Sequence, residues 1–594
     1  MTLLMEKAKP NSFLLLSLML MAGVLYLACV PWAELRGSDE SVLATVAREM
    51  VANRSFFRTT FQGENVGIFP LYPWLIALFH GVGLPDVFAV RMPAILSVLG
   101  MAALADRMAR RHRDGQAGAM AALIVLTSFG AMRVGILGQT ESLHAFLLTC
   151  AWFSWHNLGA MGRRWSAAWG VALGFVSLDV LTIGLRAILL FYLPYLFTAM
   201  PPRTRQMLRS NAHLQWLVVY ALALYLWVTL VCPQPLFALN SLVGPLSASA
   251  VHEGFFHHFF FFPFRCLLDL MPWGLFLWMP FCLALRPLEP AGSLCGFLRT
   301  VVLSLFVFYW LLPDYSSLLM MPALPAMAVM ISFNLPIILH RHERQWGRLL
   351  LVAGILASLM LFYAAAGWFW VAMGRITFAN TDFAFSMTAF ACIVVAVALL
   401  TGVFFWCRGH RVDAARIAWA AAGMRVAYVA LFVLPLFMTI GDRRYVARKI
   451  LDHSRGKEVQ QTELYPLPGE EDTIYLYSED SPFPAQMFYL NRPVHRLRKA
   501  EELPKEKEVF LVGARQPLFP GWNWEKVSGP VDFQVHRQLR PNARDVDWRM
   551  FLWNYPGRQY ERTEMLDEDF PDYARKYYEP RLMNLYRGVF REGN

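Results

Sequence analysis

The chain has 594 residues, of which 57% are hydrophobic and only 16% are charged. A chain of this length would allow about four soluble domains. So few charged residues cannot cover the surfaces of several such domains, however. The composition therefore excludes an array of soluble domains and indicates that most of the chain lies in lipid.

The formal net charge of +11 does not indicate a nucleic-acid partner. Most arginines lie in short clusters between long apolar runs, which is typical of signals that set membrane topology. No stretch interleaves aromatic and basic residues as RNA-binding surfaces do. The last cysteine is Cys407, so we expect no disulfide in a C-terminal domain.

Apolar runs long enough to cross a bilayer, about 20 residues each, alternate with polar connections along the first 440 residues. We predict thirteen membrane-spanning helices, near residues 12–33, 88–106, 116–132, 142–158, 166–179, 181–200, 213–232, 266–285, 297–312, 318–339, 349–373, 385–407 and 418–440. The run 166–179 is short for a span. One arginine cluster precedes this run and another follows the next run, and both clusters are predicted on the same side of the membrane. The two runs between them must therefore cross the membrane twice.

The basic residues of the connections fall almost entirely on one side of the predicted membrane. That side carries Lys7, Lys9, Arg107, Arg110, Arg111, Arg113, Arg163, Arg164, Arg203, Arg205, Arg209, Arg286, Arg299, Arg341, Arg344, Arg348, Arg408, Arg411 and Arg416. The short connections of the other side carry only Arg133 and Arg375. The positive-inside rule therefore predicts a cytoplasmic N-terminus and, for an odd number of spans, an extracytoplasmic C-terminal segment.

The pattern predicts a mostly α, polytopic membrane protein with a small C-terminal extracytoplasmic α/β domain. Residues 1–440 form the transmembrane domain, with a first outer loop at about 34–87, and residues 441–594 form the periplasmic domain. In the latter, Thr473–Tyr477, Phe488–Leu490 and Val509–Val512 are β-prone runs between turn-forming residues. We expect helices at Ala500–Lys507, Tyr573–Tyr578 and Tyr586–Phe590.

The first outer loop begins with the acidic pair Asp39 and Glu40. Apolar residues follow at helical spacing (Leu43, Val46, Ala47 and Met50), which predicts a helix along the membrane surface. One interpretation is structural, because Ser38 can cap this helix and its positive N-terminal end favours carboxylates. The other is that the carboxylates face an enclosed reaction site.

Three segments of this region, Gly37–Met50, Phe69–Leu75 and Ala89–Ala94, resemble the integral-membrane GT-C glycosyltransferases. The resemblance is to the branch that contains the lipid A aminoarabinose transferases and the protein mannosyltransferases. It continues through Met271–Trp273, Met321–Pro325, Ile474–Tyr477 and Phe488–Val494. No single motif is specific, but their order and spacing cover essentially the whole chain. The resemblance implies the GT-C fold with an active site on the outer face of a bacterial inner membrane.

The resemblance implies transfer of a sugar from a polyprenyl-phosphate carrier to a lipid A-like glycolipid, another envelope glycan or a protein hydroxyl. Such a reaction needs a carboxylate that takes a proton or holds a divalent ion, and cations that neutralise the leaving phosphate. On this resemblance, Asp39 is the catalytic carboxylate, Glu40 supports it, and Glu141 is the second acidic residue.

The expected phosphate-binding cations are missing. Relatives carry basic residues where this chain has Val42, Ile68, Ile183 and the step Pro313–Tyr315, and a metal-ligand glutamate where it has Gly67. A buried phosphate needs a cationic partner. The candidates to replace the missing cations are Arg186, Arg133, Arg91 and Arg265.

We favour Arg186 among these four, because it lies three residues after Ile183, close to one helical turn, and intramembrane arginines are usually functional or paired. The alternative is a structural pair of Arg186 with Asp179 or Glu141.

His257 and His258 lie in a loop rich in histidine and phenylalanine, before Met271–Trp273. Imidazole is a metal ligand, and relatives carry a functional histidine at a similar distance. These two residues are therefore candidate ligands of a divalent metal ion, the only cofactor we expect. The alternative is an aromatic belt at the membrane interface.

Two other classes of function compete with glycosyl transfer. A catalytically silent GT-C relative would bind a lipid-linked sugar or act as a scaffold in an envelope complex, together with membrane lipids. A transporter is less well supported, because no inverted repeat is evident. The sequence has no Gly-x-Ser-x-Gly element and no phosphate-cradling glycine-rich loop outside the spans.

Overall fold

The computed structural model describes residues 37–66, 68–197, 210–230, 255–312, 317–341 and 343–372 of the membrane region. In the C-terminal part it describes residues 471–477, 483–497, 499–505, 508–533 and 582–590, and a few isolated residues lie between these ranges. The predicted spans at 12–33, 385–407 and 418–440 lie outside the described residues, and so does the predicted helix Tyr573–Tyr578.

The described membrane region is helical. Its helices are α1 (Gly37–Ala52), α2 (Leu71–Gly81), α3 (Asp86–His112), α4 (Gly115–Thr127), α5 (Phe129–Ile136), α6 (Thr140–Trp155), α7 (Trp165–Ile183), α8 (Arg186–Phe197), α9 (Asn211–Leu230), α10 (Phe255–Asp269), α11 (Gly292–Trp310), α12 (Ala323–Arg341) and α13 (Glu343–Ala372). A π-helical turn, His156–Met161, continues α6, and short 3-10 turns connect α10 with α11 and precede α12.

Within the described residues, four helices are long and apolar enough to cross a membrane: α3, α7, α11 and the Glu343–Tyr363 part of α13. The chain is therefore a multi-pass membrane protein. Two further apolar segments are bent, by 63° between α4 and α5 and by 105° between α10 and the 3-10 turns after it. If each bent pair is one span, the described residues contain up to six, and the total of thirteen stays a prediction.

These helices correct two details of the predicted topology. The segment 166–179, which looked short for a span, belongs to the 19-residue helix α7. The predicted span 266–285 is not one straight helix, since α10 ends at Asp269 and a sharp break follows. Pro272 stands in this break, where a proline cannot continue a helix without losing a hydrogen bond.

The C-terminal part forms a five-stranded sheet. Its strands are β3 (Ile474–Tyr477), β4 (Val494–Leu497), β5 (Val509–Gly513), β6 (Trp522–Asp532) and β7 (Leu582–Phe590), in the order β4-β3-β5-β7-β6. The pairs β3–β4 and β3–β5 are parallel, whereas β7 is antiparallel to both β5 and β6. A short helix, α14 (Pro484–Tyr489), connects β3 with β4, as a parallel pair requires a crossover.

Three predictions for this part of the chain are wrong. Phe488–Leu490 is not a strand, because Phe488 and Tyr489 end α14, whose first residue is a proline suited to a helix start. Tyr586–Phe590 is not a helix, since it lies in β7. In the predicted helix Ala500–Lys507, the described residues 500–505 form the 3-10 turn Ala500–Glu502 and no α-helix, because Pro504 follows.

The first outer loop joins the membrane region to the sheet. It contains α1, a two-stranded hairpin with strands β1 (Thr60–Phe61) and β2 (Glu64–Asn65), and α2. Helix α1 packs on α2 and α3 on one side and on α14 on the other. The acidic pair of α1 is therefore placed where the membrane helices and the C-terminal sheet domain meet.

Candidate functional site

Asp39 and Glu40 lie in the first turn of α1, where the positive end of the helix dipole favours negative charge. Glu40 is only 1% exposed and pairs with the fully buried Arg91 of α3. The distances are 2.6 Å from Arg91 Nε to Glu40 Oε1 and 3.1 Å from Nη2 to Oε2. The side chain of Asp39 lies outside the described part of the structure, so its catalytic role stays a prediction.

A third contact fixes Glu40, because the backbone N–H of Gly138 donates to Glu40 Oε1 at 2.9 Å. Gly138 lies in the short connection between α5 and α6, so this one carboxylate ties α1 to three other helices. A Cβ on Gly138 would lie 2.5 Å from Val90 and 3.2 Å from Cγ of Glu40, so only glycine fits here without displacement. Glu40, Arg91 and Gly138 thus fix the first turn of α1.

Glu141 lies in the first turn of α6, close to this pair. Tyr72 of α2 lies close enough to Glu40, Arg91 and Glu141 to be affected by their charges, and its hydroxyl donates to the carbonyl oxygen of Val90 at 3.0 Å. Burial raises the pKa of Tyr72 well above its usual value, and the negative charges of Glu40 and Glu141 raise it further. The structure therefore brings together Glu40, Arg91 and Glu141 at one end of the bundle, around the buried phenol of Tyr72.

Arg186 is the first residue of α8, after a turn in which Gly184 has φ +81°. This turn reverses the chain, so that Arg186 comes close enough for its charge to act on the carboxylate of Asp179 in α7. Asp179 is itself hydrogen-bonded to His144 of α6, at 2.8 and 3.0 Å from His144 Nδ1 to the two carboxylate oxygens.

The pair of Asp179 and His144 was not predicted from the sequence. Both side chains are fully buried, and no described residue bonds to the Nε2 atom of His144. A signal was present, because His144 follows Glu141 by three residues and lies on the same face of an otherwise apolar helix. Asp179 had been considered only as a partner of Arg186.

The other two candidate arginines lie at a different group of helices. Arg133 of α5 has a side chain that is 51% exposed, and its Nη1 lies 3.4 Å from the Asp269 carboxylate at the end of α10. Arg265 is exposed on α10, one turn before Asp269. Arg133 and Arg265 are therefore neighbours of one carboxylate and remain accessible to an anion.

His258 of α10 is buried, its Nε2 lies 3.0 Å from the carbonyl oxygen of Tyr309, and its ring packs 4.8 Å from that of Phe262. The side chain of His257 lies outside the described residues. Among the described side chains, no three histidine, cysteine, aspartate or glutamate residues lie together as a metal site would require. The described donors do not fit a metal held by three or more side chains, and metal binding stays a prediction.

Comparison with known proteins agrees with this architecture. The family model described as "Dolichyl-phosphate-mannose-protein mannosyltransferase" matches residues 69–231. The structure of ArnT from Cupriavidus metallidurans bound to undecaprenyl phosphate superposes with a TM-score of 0.62, at 16% identity, over 98% of both chains. ArnT in the apo state superposes with a TM-score of 0.56, at 18% identity, over 84% of this chain and 92% of that chain. No curated protein matches the chain by sequence.

These similarities establish the fold. The chain has the GT-C fold seen in ArnT, as the sequence resemblance predicted, and the match includes the C-terminal sheet domain because it extends over nearly the whole length. The matched family segment begins after the acidic pair, so it does not test Asp39 or Glu40.

Proposed function

We propose that the protein is a glycosyltransferase that moves a sugar from a polyprenyl-phosphate carrier to an envelope acceptor at the outer face of a bacterial inner membrane. The observation that carries this proposal is the ArnT-like fold over 98% of the chain, since that ArnT structure holds undecaprenyl phosphate. The acceptor is a lipid A-like glycolipid, another glycan or a protein hydroxyl. The N-terminus is cytoplasmic and the sheet domain periplasmic.

In this proposal the acceptor hydroxyl oxygen bonds to the anomeric carbon of the sugar. The bond between that carbon and the phosphate oxygen breaks, and the phosphate leaves with the electron pair. Asp39 takes the hydroxyl proton as general base, and Glu141 is the second acidic residue of the site. Glu40 supports Asp39 indirectly, because its bonds to Arg91 and Gly138 fix the first turn of α1.

The leaving phosphate needs positive charge in place of the missing family cations. Arg186 supports this role because it stands at the N-terminus of the 12-residue helix α8, where the helix dipole and the first backbone N–H groups favour anions. Charge-assisted contacts of this kind stabilise departure of a phosphate. Arg91 is less suited, since its guanidinium is engaged by Glu40. Arg133 and Arg265 are accessible and are second candidates for a carrier phosphate.

The experiment uses the full-length protein, purified in detergent, with undecaprenyl phosphate and with undecaprenol as the matched lipid lacking phosphate. A ligand present at about 100 times its Kd stabilises the folded protein by about 2.7 kcal/mol, so undecaprenyl phosphate should raise the melting temperature and undecaprenol should not. Equal responses to both lipids would contradict phosphate recognition. A panel of polyprenyl-phosphate-linked pentoses and hexoses then identifies the sugar.

A catalytically silent relative is the second candidate, favoured by the absence of basic residues at Val42, Ile68 and Ile183. A silent relative would bind undecaprenyl phosphate but would not transfer a sugar. Binding without transfer of any sugar in the panel, to glycolipid or protein acceptors, supports that candidate and contradicts the enzyme.

A further inference from the structure

The helix that carries Asp39 is held from outside the membrane by the C-terminal sheet domain. The backbone N–H of Leu35, four residues before Asp39, donates to the hydroxyl oxygen of Tyr489 at 2.7 Å. Leu35 is fully buried and Tyr489 is partly buried. Tyr489 is the last residue of α14, in the sheet domain.

The same short helix holds the other end of α1. Arg48 Nη1 donates to the carbonyl oxygen of Phe488 at 2.9 Å, and its guanidinium lies 4.4 Å from the centre of the Phe488 ring. Burial lowers the pKa of Arg48, while the charges of Asp86 and Glu49 oppose that change. Two consecutive residues of α14 thus contact the chain on both sides of Asp39.

The hairpin of the first outer loop forms a third contact with the sheet. The carbonyl oxygen of Gln62 accepts a hydrogen bond from the backbone N–H of Arg496 in β4, at 2.8 Å. Glu49, the residue after Arg48, binds the hairpin to α1, because its carboxylate accepts from the Thr60 hydroxyl at 2.6 Å and from the Gln62 N–H at 2.7 Å. The hairpin therefore links α1 rigidly to β4.

The core of the sheet is formed mainly by residues of its own strands. Its buried residues form two separate clusters, one around Ile474, Leu476 and Val512 and one around Leu511 and Trp524. Phe488 instead belongs to the core of the membrane helices, and Tyr489 packs against both that core and the first of these clusters. A six-residue helix is too short to be stable by itself, so α14 is ordered by packing between the two bodies.

We propose that Tyr489, Phe488 and Arg48 are positioning residues, and that the sheet domain is a working part of the reaction site that sets the place of Asp39. This inference rests on the proposed function. Its physical basis is that a displacement of about 1 Å between reacting groups can lower a rate by about 100-fold. A helix fixed at both ends to a rigid sheet avoids such displacement.

The first test is Tyr489→Phe, which removes one hydroxyl and little else, with Tyr477→Phe in β3 as the matched control. If Tyr489 sets the place of Asp39, kcat should fall by roughly five-fold, or about 1 kcal/mol of activation free energy, with KM for the donor unchanged and the melting temperature lowered by no more than about 1 °C. Tyr477→Phe should leave kcat unchanged. Equal kcat values for both variants and the wild type would overturn the proposal.

The second test introduces a steric clash between the hairpin and the sheet domain. A Cβ on Gly63 would lie 1.8 Å from Nδ1 of His495 in β4, and Gly63 has φ +77°. Gly63→Ala should therefore lower kcat, and adding His495→Ala should recover part of it by removing the clash while the backbone strain remains. If the double variant has the same kcat as Gly63→Ala, backbone strain alone causes the loss. That result would contradict the proposal.

A third measurement separates this inference from the proposed function. Hydrogen exchange at the Leu35 amide, followed by mass spectrometry, should be faster in Tyr489→Phe than in Tyr477→Phe, whether or not the protein transfers a sugar. Unchanged exchange at Leu35 would overturn the contact. If the wild type neither binds undecaprenyl phosphate nor transfers sugar, the proposed function fails while the exchange result stands.

Discussion

The buried pair of Glu40 and Arg91 gives the sharpest test of how the site is built. Arg91→Met keeps most of the side-chain volume but leaves the Glu40 carboxylate buried without its cation. Removing one partner of a buried ion pair costs about 3–5 kcal/mol, and here two short contacts, at 2.6 and 3.1 Å, are lost together. The Gly138 N–H still donates to Glu40, but it cannot neutralise the charge.

The expected effect can be expressed as a melting temperature. The entropy of unfolding is about 2.1 cal/mol/K per residue near 60 °C, so 594 residues that unfold as one unit give roughly 1.2 kcal/mol/K. The loss of about 3–5 kcal/mol then lowers the melting temperature by about 2–4 °C. Thermal unfolding of the purified protein, followed by intrinsic tryptophan fluorescence, measures this shift.

The matched control is Arg110→Met. Arg110 pairs with Asp106 at 2.7 Å on the same helix α3. This pair is more accessible than the buried one, with side-chain exposures of 34% and 12%, so its loss should cost less. The double variant Glu40→Leu/Arg91→Met removes both charges, and such replacements are often neutral. It should therefore be more stable than Arg91→Met. Equal shifts for Arg91→Met and Arg110→Met, or additive losses in the double variant, would refute this reasoning.

Three further predictions concern catalysis, donor binding and topology. Asp39→Asn removes a negative charge with little change in volume, so the transfer rate should fall by about 100-fold or more at normal expression; unchanged transfer would remove Asp39 from the mechanism. Arg186→Met should weaken undecaprenyl phosphate binding, whereas Arg265→Met should affect it less. A titration in which Arg265→Met binds the lipid more weakly than Arg186→Met would place the phosphate site at α10 instead. A phosphatase fused after Asn594 should be active and one fused near Arg344 silent; the opposite result would invert the topology.

The fold was predictable because several weak signals agreed. Apolar runs, alternating arginine clusters and the order of short motifs all indicate the same architecture, and errors in any one run do not change it. Hydropathy could not predict the break after Asp269, because it depends only on composition. An apolar segment has the same hydropathy whether it is straight or bent by 105°.

Local structure in the sheet domain was predicted less well. Strand β7 lies between β5 and β6, and its residues from Met583 to Tyr586 are all buried, so both of its faces are covered there. Periodicity cannot distinguish such a strand from a helix. The strand predicted at Phe488–Leu490 is wrong for a different reason. Phe488 and Tyr489 are β-prone, but their packing against the membrane helices favours the helix α14.

The sequence identifies Asp39 and Glu40 as candidates, but it does not show which other side chains each of them contacts. Asp39 and Glu40 are adjacent in sequence, yet consecutive residues of a helix point about 100° apart and can have different partners. Glu40 forms an ion pair with Arg91 of another helix. Arg91 looked like a candidate for the phosphate because a sequence does not show that its charge is already neutralised.

The contacts of Tyr489 and Arg48 could not be predicted, since each joins segments more than 400 residues apart, as the hydrogen bonds to Leu35 and Phe488 show. The residues that place the acidic helix are therefore spread over both domains, and variants far from the membrane should alter the reaction rate before they alter the stability of the fold.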